Sequence, residues 1–81
     1  MAISGELWIE RYAAEVGVLP PSTSEVEMLL ELAGSAAHAS ERIAAPITCW
    51  LAARAGLTSQ EALVVARRLG ESLTSTDQIS D

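Results

Sequence analysis

Between Glu31 and Trp50 the chain gathers its only histidine, His38, and its only cysteine, Cys49, around Ser35, Glu41 and Arg42. Glu31, Ser35, His38 and Arg42 stand at i, i+4, i+7 and i+11, which on a helix makes one polar stripe. In that stripe Glu31 or Glu41 can orient the His38 imidazole while Arg42 holds an anion through its planar guanidinium. The same residues also make an ordinary solvated helix face, each neighbouring pair adding roughly a few tenths of a kcal/mol. That solvated face is the default use of such a pattern.

Other chemistries fail on residue supply. Cys49 with His38 as its base would need hydrogen-bond reach, but the helical register points His38 away from the apolar face and sets Cys49 beside Trp50. A lone helical cysteine of that kind is ordinarily a small buried hydrophobe. One histidine and one cysteine fall short of the three or four ligands of a zinc site. No Glu-x-x-His pair exists, because Ser35 occupies the position three before His38, so the di-iron bundle pattern is absent. The five glycines are scattered and form no phosphate-cradling loop. No catalytic, cofactor or metal residue is therefore assigned, and the expectation is a non-enzymatic protein.

Composition narrows the partners. Five basic residues, all arginine, against eleven acidic ones give a net charge of −6. Only Arg67 and Arg68 are adjacent, too few for the basic patch that nucleic acid or an anionic membrane surface requires. No apolar run approaches the roughly 18 residues of a membrane span. The single cysteine cannot make an intrachain disulfide, and the first residues lack a basic stretch followed by an apolar core. The expected location is the cytoplasm. Hydrophobic residues are 49% of the chain, rich for 81 residues. Surplus apolar surface on so small a domain often ends in a subunit interface, so a homo-oligomer is one expectation.

The elements that must position these side chains read as four helices. Ser4 caps a first helix over about residues 5–16, with Trp8, Ile9, Tyr12, Ala13 and Val16 on one face and Gly17 as its stop. Pro20-Pro21 forces an extended linker. Ser24 and Glu27 read as a capping box opening the longest helix, which is expected to run to Ile43 or Ala44. Its apolar arc passes through Val26, Leu29, Leu30, Ala33, Ala36 and Ala37, with Met28, Leu32, Ala39 and Ile43 on the flank. A helix so broadly apolar packs against more than one neighbour, making it the central element.

Pro46 is expected at the first position of a third helix, with Ala45 pushed extended before it. Ile47, Trp50, Leu51 and Ala55 form that helix's inward stripe, and Gly56 ends it. Thr58 and Glu61 make a second capping box for a fourth helix, with Leu57 stapling onto Ala62. Ala62, Val65, Ala66, Leu69 and Leu73 face inward there. Trp8, Tyr12 and Trp50 are expected to anchor the first and third helices onto the second, since aromatic side chains dominate burial in small cores. The expected fold is all-α: a small four-helix domain over residues 1–73, short loops, a long central second helix, and a frayed polar tail over 74–81.

Several of these residues carry a family resemblance. Leu7-Trp8, Glu25-Val26, Leu29-Leu30-Glu31-Leu32-Ala33, Ala37-His38, Arg42, Ala44-Ala45-Pro46, Thr48 and Leu51 together resemble a short actinobacterial domain of unknown function. That domain occurs alone or joined to molybdopterin-guanine dinucleotide biosynthesis proteins. The resemblance runs from about Leu7 to Leu69, and its most specific part is the Ala37-His38, Arg42, Ala44-Ala45-Pro46 stretch. The chain has no nucleotidyltransferase domain, so no nucleotide-binding residue carries over. What the resemblance implies is a setting, molybdenum-cofactor biosynthesis, and a protein partner there, with no reaction. The functional expectation is an interaction module with His38, Arg42, Glu31 and Ser35 on its contact face. Two alternatives stand beside it: a small-ligand or anion-binding domain, and a structural homodimerisation unit.

Overall fold

The computed structural model describes the backbone of residues 3–79 and the side chains of residues 3–73. Four helices follow one another: α1 (Gly5–Val16), α2 (Thr23–Ala39), α3 (Ala44–Arg54) and α4 (Ser59–Ile79). No strand occurs among the described residues.

The local signals of α1 act where expected. The Ser4 hydroxyl accepts from the Leu7 N–H at 3.1 Å, and Gly17 closes the helix at φ 80°, in the left-handed region. Its N–H and that of Val18 donate to the Ala14 and Ala13 carbonyls, satisfying groups the helix end would leave open. Pro20 and Pro21 then carry the chain to α2. The α2 capping box is built two residues earlier than expected. Ser22, not Ser24, accepts from the Glu25 N–H at 3.2 Å, while the Ser22 N–H donates to Glu25 Oε1 at 2.8 Å. Ser22 follows the prolines directly at ψ 166°, already in the extended conformation a cap requires.

The end of α2 also differs from expectation. It stops at Ala39, where the Ser40 hydroxyl donates to the Ala36 carbonyl at 2.8 Å. Such back-bonding offers the backbone an alternative to continuing the helix. A tight turn over residues 41–43 leads straight into α3, with Ala44 and Ala45 N–H groups donating to the Glu41 and Arg42 carbonyls. Pro46 consequently lies third in α3, and Ala45 before it is helical rather than extended. Within the first turn a missing N–H breaks no intrahelical bond, so the third position serves the proline as well as the first.

Gly56, at φ 77°, ends α3. Thr58 and Glu61 make the expected box, with Thr58 N–H to Glu61 Oε1 at 2.8 Å and Glu61 N–H to Thr58 Oγ1 at 3.1 Å. The α4 backbone is helical to Ile79, past the boundary expected at Leu73. The expected frayed tail is residues 74–81, whose side chains lie outside those described.

Helix α2 is the centre, packing against both α3 and α4. Its buried line runs through Leu32, which is 1% exposed, and not through Leu30, which is 68% exposed. Leu32, Ala62 and Leu63 form the core, with Leu29, Cys49, Ala52, Leu57 and Ala66 packed on it. In α3 the inward residues are thus Cys49 and Ala52, while Ile47, Trp50 and Leu51 of the expected stripe are exposed.

The aromatic anchors do not form. Trp8, Tyr12 and Trp50 are 59, 57 and 58% exposed. Trp8 and Tyr12 lie tilted against each other at 6.1 Å between ring centroids, and the Arg54 guanidinium stacks over Trp50 at 5.0 Å. Only Ala13 of α1 is buried. Helix α1 borders the N-terminal end of α2 across a cleft lined by Ile9, Pro21 and Val26 and packs closely on neither α3 nor α4; the molecule measures 50 × 30 × 19 Å. Helical periodicity specifies which face of a helix is apolar, and it leaves open what covers that face.

Candidate functional site

The polar stripe is not assembled as a unit. Because α2 ends at Ala39, Arg42 leaves the helix and sits in the following turn, out of the i+11 register with Glu31. Glu31 bonds elsewhere, its Oε2 accepting from an Arg67 Nη of α4 at 2.7 Å. Ser35 turns into the wall of a cleft between helices. His38 and Arg42 stay exposed, and neither side chain makes a hydrogen bond or ion pair with another described residue. Glu31 ties α2 to α4, and of the four stripe residues only His38 and Arg42 remain open to solvent without a partner among the described residues.

Cys49 is half-buried against the Leu32–Ala62–Leu63 core, and that burial pushes its thiol above its ordinary pKa. A thiol held neutral is a poor nucleophile. Among the described residues no group of three His, Cys, Asp or Glu side chains could hold a metal ion, and no helix is long and apolar enough to cross a membrane.

One concavity that helical spacing does not isolate adjoins the core. A groove of about 310 Å³ lies between α2, α3 and α4, open on one side. Its floor is Leu32 and Ala62; its α2 wall carries Ala36 and Ala39, its α3 wall Leu51 and Ala55, and its α4 wall Val65 and Leu69. Three hydroxyls, of Ser35, Ser40 and Thr48, are its only polar side chains, and no charged side chain lines it among the described residues. Val65, Leu69 and Leu73 therefore face the direction expected of them yet are 49, 55 and 52% exposed, because no described helix covers the groove. The signal was present as alanines at helical spacing on all three helices. Small residues set back the walls of a cleft, whereas large ones fill it.

A family model for a domain of unknown function, DUF6457, matches residues 4–79. The chain belongs to this family. The match takes in α1, the groove and the His38–Arg42 turn together, so all of them are parts of one family domain. No curated protein and no solved structure matches the chain.

Proposed function

We propose that this domain is a non-enzymatic interaction module whose α2–α3–α4 groove receives an amphipathic helix. The observation that carries the reading is the groove itself: apolar, uncharged, and bounded by three helices whose inward faces are only partly covered. A helix laid into a groove through residues at i, i+3, i+4 and i+7 is a recurrent mode of recognition, and its demand is for apolar walls. The anion-binding alternative draws no support from the groove, since no cation among the described residues lines it. The setting we propose is molybdenum-cofactor biosynthesis, on the sequence resemblance alone. The exposed His38 and Arg42 offer a polar contact there for a second protein.

A photo-crosslinking amino acid in place of Leu69 tests the groove. The expected adduct is a peptide with apolar residues at helical spacing, identified by mass spectrometry. No protein adduct, together with thermal stabilisation by pterins, nucleotides or phosphate, would replace this reading with the small-ligand one. For the setting, purified molybdopterin-guanine dinucleotide biosynthesis protein is expected to bind the domain. Loss of that binding in His38→Ala and Arg42→Ala variants would support the polar contact, and no binding by the unaltered domain would remove the setting.

A further inference from the structure

Two apolar features of this chain lack a partner, and they fit each other. The first is the α1 face carrying Trp8, Ile9, Tyr12 and Val16, all exposed, followed by Val18 and Leu19. The second is the α2–α3–α4 groove. Along α4 the groove extends from Ala62 to Leu73, about 17 Å at the rise of an α-helix. Helix α1 has 12 residues, about 18 Å on the same rise. The alanine-rich groove walls leave room for large side chains, and α1 supplies two of the three exposed aromatics.

The surface area points the same way. A monomer of this chain's 8.5 kDa would expose about 4,700 Å² if it packed as folded monomers do. The chain exposes 6670 Å², an excess of about 2,000 Å² over that scaling. Its radius of gyration is 14.9 Å, against about 12 Å for a globule of 81 residues. An interface of standard size removes about 800 Å² from each partner, and permanent homodimers remove more. The excess is of the size such a dimer covers.

The chain's own α1 is held away from its own groove. Gly17 and the Val18–Ala13 hydrogen bond fix the end of α1, and Pro20-Pro21 stiffen the linker to α2. Ile9, Pro20, Pro21 and Val26 border one shared cleft, so α1 lies by the N-terminal end of α2. The groove lies on the C-terminal half of α2, from Leu32 to Ser40. Resting on the reading of the groove as a helix receptor, we infer that its occupant is α1 of a second copy of this chain. The exchange is reciprocal: each copy's Trp8–Tyr12 face enters the other's groove. Two equivalent contacts then close a two-fold dimer, in which both unpartnered features of both chains are covered.

Sedimentation equilibrium of the full chain tests this with two variants, Trp8→Asp on α1 and Leu69→Asp in the groove. Both sites are exposed, so far-UV circular dichroism is expected to show unchanged helix content. The unaltered chain is expected to be a dimer, and each variant to raise its dissociation constant about 100-fold or more. A mixture of the two variants is expected to recover dimer, because the Trp8→Asp chain keeps an intact groove and the Leu69→Asp chain an intact α1. Were Leu69→Asp to lose helix content, Trp8→Asp titrated with a peptide of residues 3–19 would carry the test, with binding expected. A chain that stays monomeric at all concentrations overturns the inference, as does a Trp8→Asp variant that still dimerises. Variants that are each monomeric and stay so when mixed would also overturn it, and a Leu69→Asp variant that still dimerises while Trp8→Asp does not would overturn it by placing the contact between the two α1 helices. A monomer whose Leu69 crosslinks to a helix of another protein would sink this inference and leave the groove reading intact; a monomer with no protein adduct would sink both.

Discussion

Leu32→Ala is the substitution with the largest expected cost, and its magnitude follows from the packing. Leu32 is 1% exposed and is the sole large side chain buried so completely among the described residues. It touches the core from the middle of α2, between Ala62 and Leu63 of α4 and Cys49 and Ala52 of α3. Removing three carbons forfeits about 2.4 kcal/mol of transfer free energy at ~0.8 kcal/mol per methylene. A residual cavity adds to that, but Leu32 also lines the open groove, so part of the void is wetted or relaxes. The expected loss is therefore about 3 kcal/mol, near the low end of measured Leu→Ala costs. A core this small typically supplies about 3–5 kcal/mol in total, so the variant is expected to keep about 0–2 kcal/mol and be only marginally folded at 25 °C. Urea denaturation followed by circular dichroism at 222 nm, at one fixed protein concentration, reads the difference. Leu30→Ala is the control. At 68% exposed it is expected to cost less than about 0.5 kcal/mol. A Leu32→Ala loss below about 1 kcal/mol, or an equal loss at Leu30, would refute the placement of the core.

Ser22→Ala and Thr58→Ala are each expected to lower stability by about 1 kcal/mol through loss of a helix cap, and Ser24→Ala by less than half of that; equal effects at Ser22 and Ser24 would contradict the observed capping box. Gly34 lies in mid-helix with nothing within 4 Å of where an added methyl would sit, whereas Gly56 sits at φ 77°, so Gly34→Ala is expected to stabilise by roughly 0.5–1 kcal/mol and Gly56→Ala to destabilise by about 1–2 kcal/mol in the same urea titration. The Glu31–Arg67 pair is more than half exposed at both ends, and a double-mutant cycle is expected to give below about 1 kcal/mol, falling further in high salt. For Cys49 the folded thiol holds its proton more tightly than the unfolded one. Above the thiol's ordinary range the unfolded chain releases that proton first, so stability is expected to fall as pH rises through about 9. A Cys49→Ala variant without the matching loss of that slope would show that another group carries it.

The parts of the fold legible in the sequence are those written in short-range chemistry. Ser4, Gly17, Gly56, Thr58 and Glu61 act within three or four residues of themselves, and they mark helix boundaries where their residue types predict them. The misses have equally local causes. Two serines, Ser22 and Ser24, both precede a glutamate by three residues, and only the extended backbone after Pro21 selects the first. The Ser40 back-bond to Ala36 competes with helix continuation, which periodicity alone does not reveal. That early stop takes Arg42 out of the stripe with Glu31, Ser35 and His38. The Glu31–Arg67 pair joins residues 36 apart in sequence, so no spacing rule within one helix foretells it.

The three aromatics show where periodicity reaches its limit. Trp8, Ile9, Tyr12 and Val16 do share one face of α1, as their spacing requires. The inference that fails is the step from an apolar face to a partner within the same chain. Burial depends on where α1 is sent, and Gly17 with Pro20-Pro21 leaves it beside the N-terminal end of α2, clear of the α2–α3–α4 core. The same step fails in α4, where Val65 and Leu69 face inward toward a groove that no described helix of the chain occupies. One helix without a seat and one seat without a helix are two halves of a single discrepancy. In a domain of 81 residues with so few fully buried side chains, the net stability of the isolated chain is small. Covering both features through one contact between copies would add apolar burial at the two places where the monomer lacks it. Thermal stability that rises with protein concentration is therefore the simplest consequence of the fold, and its absence would mean that the aromatic face of α1 serves another partner.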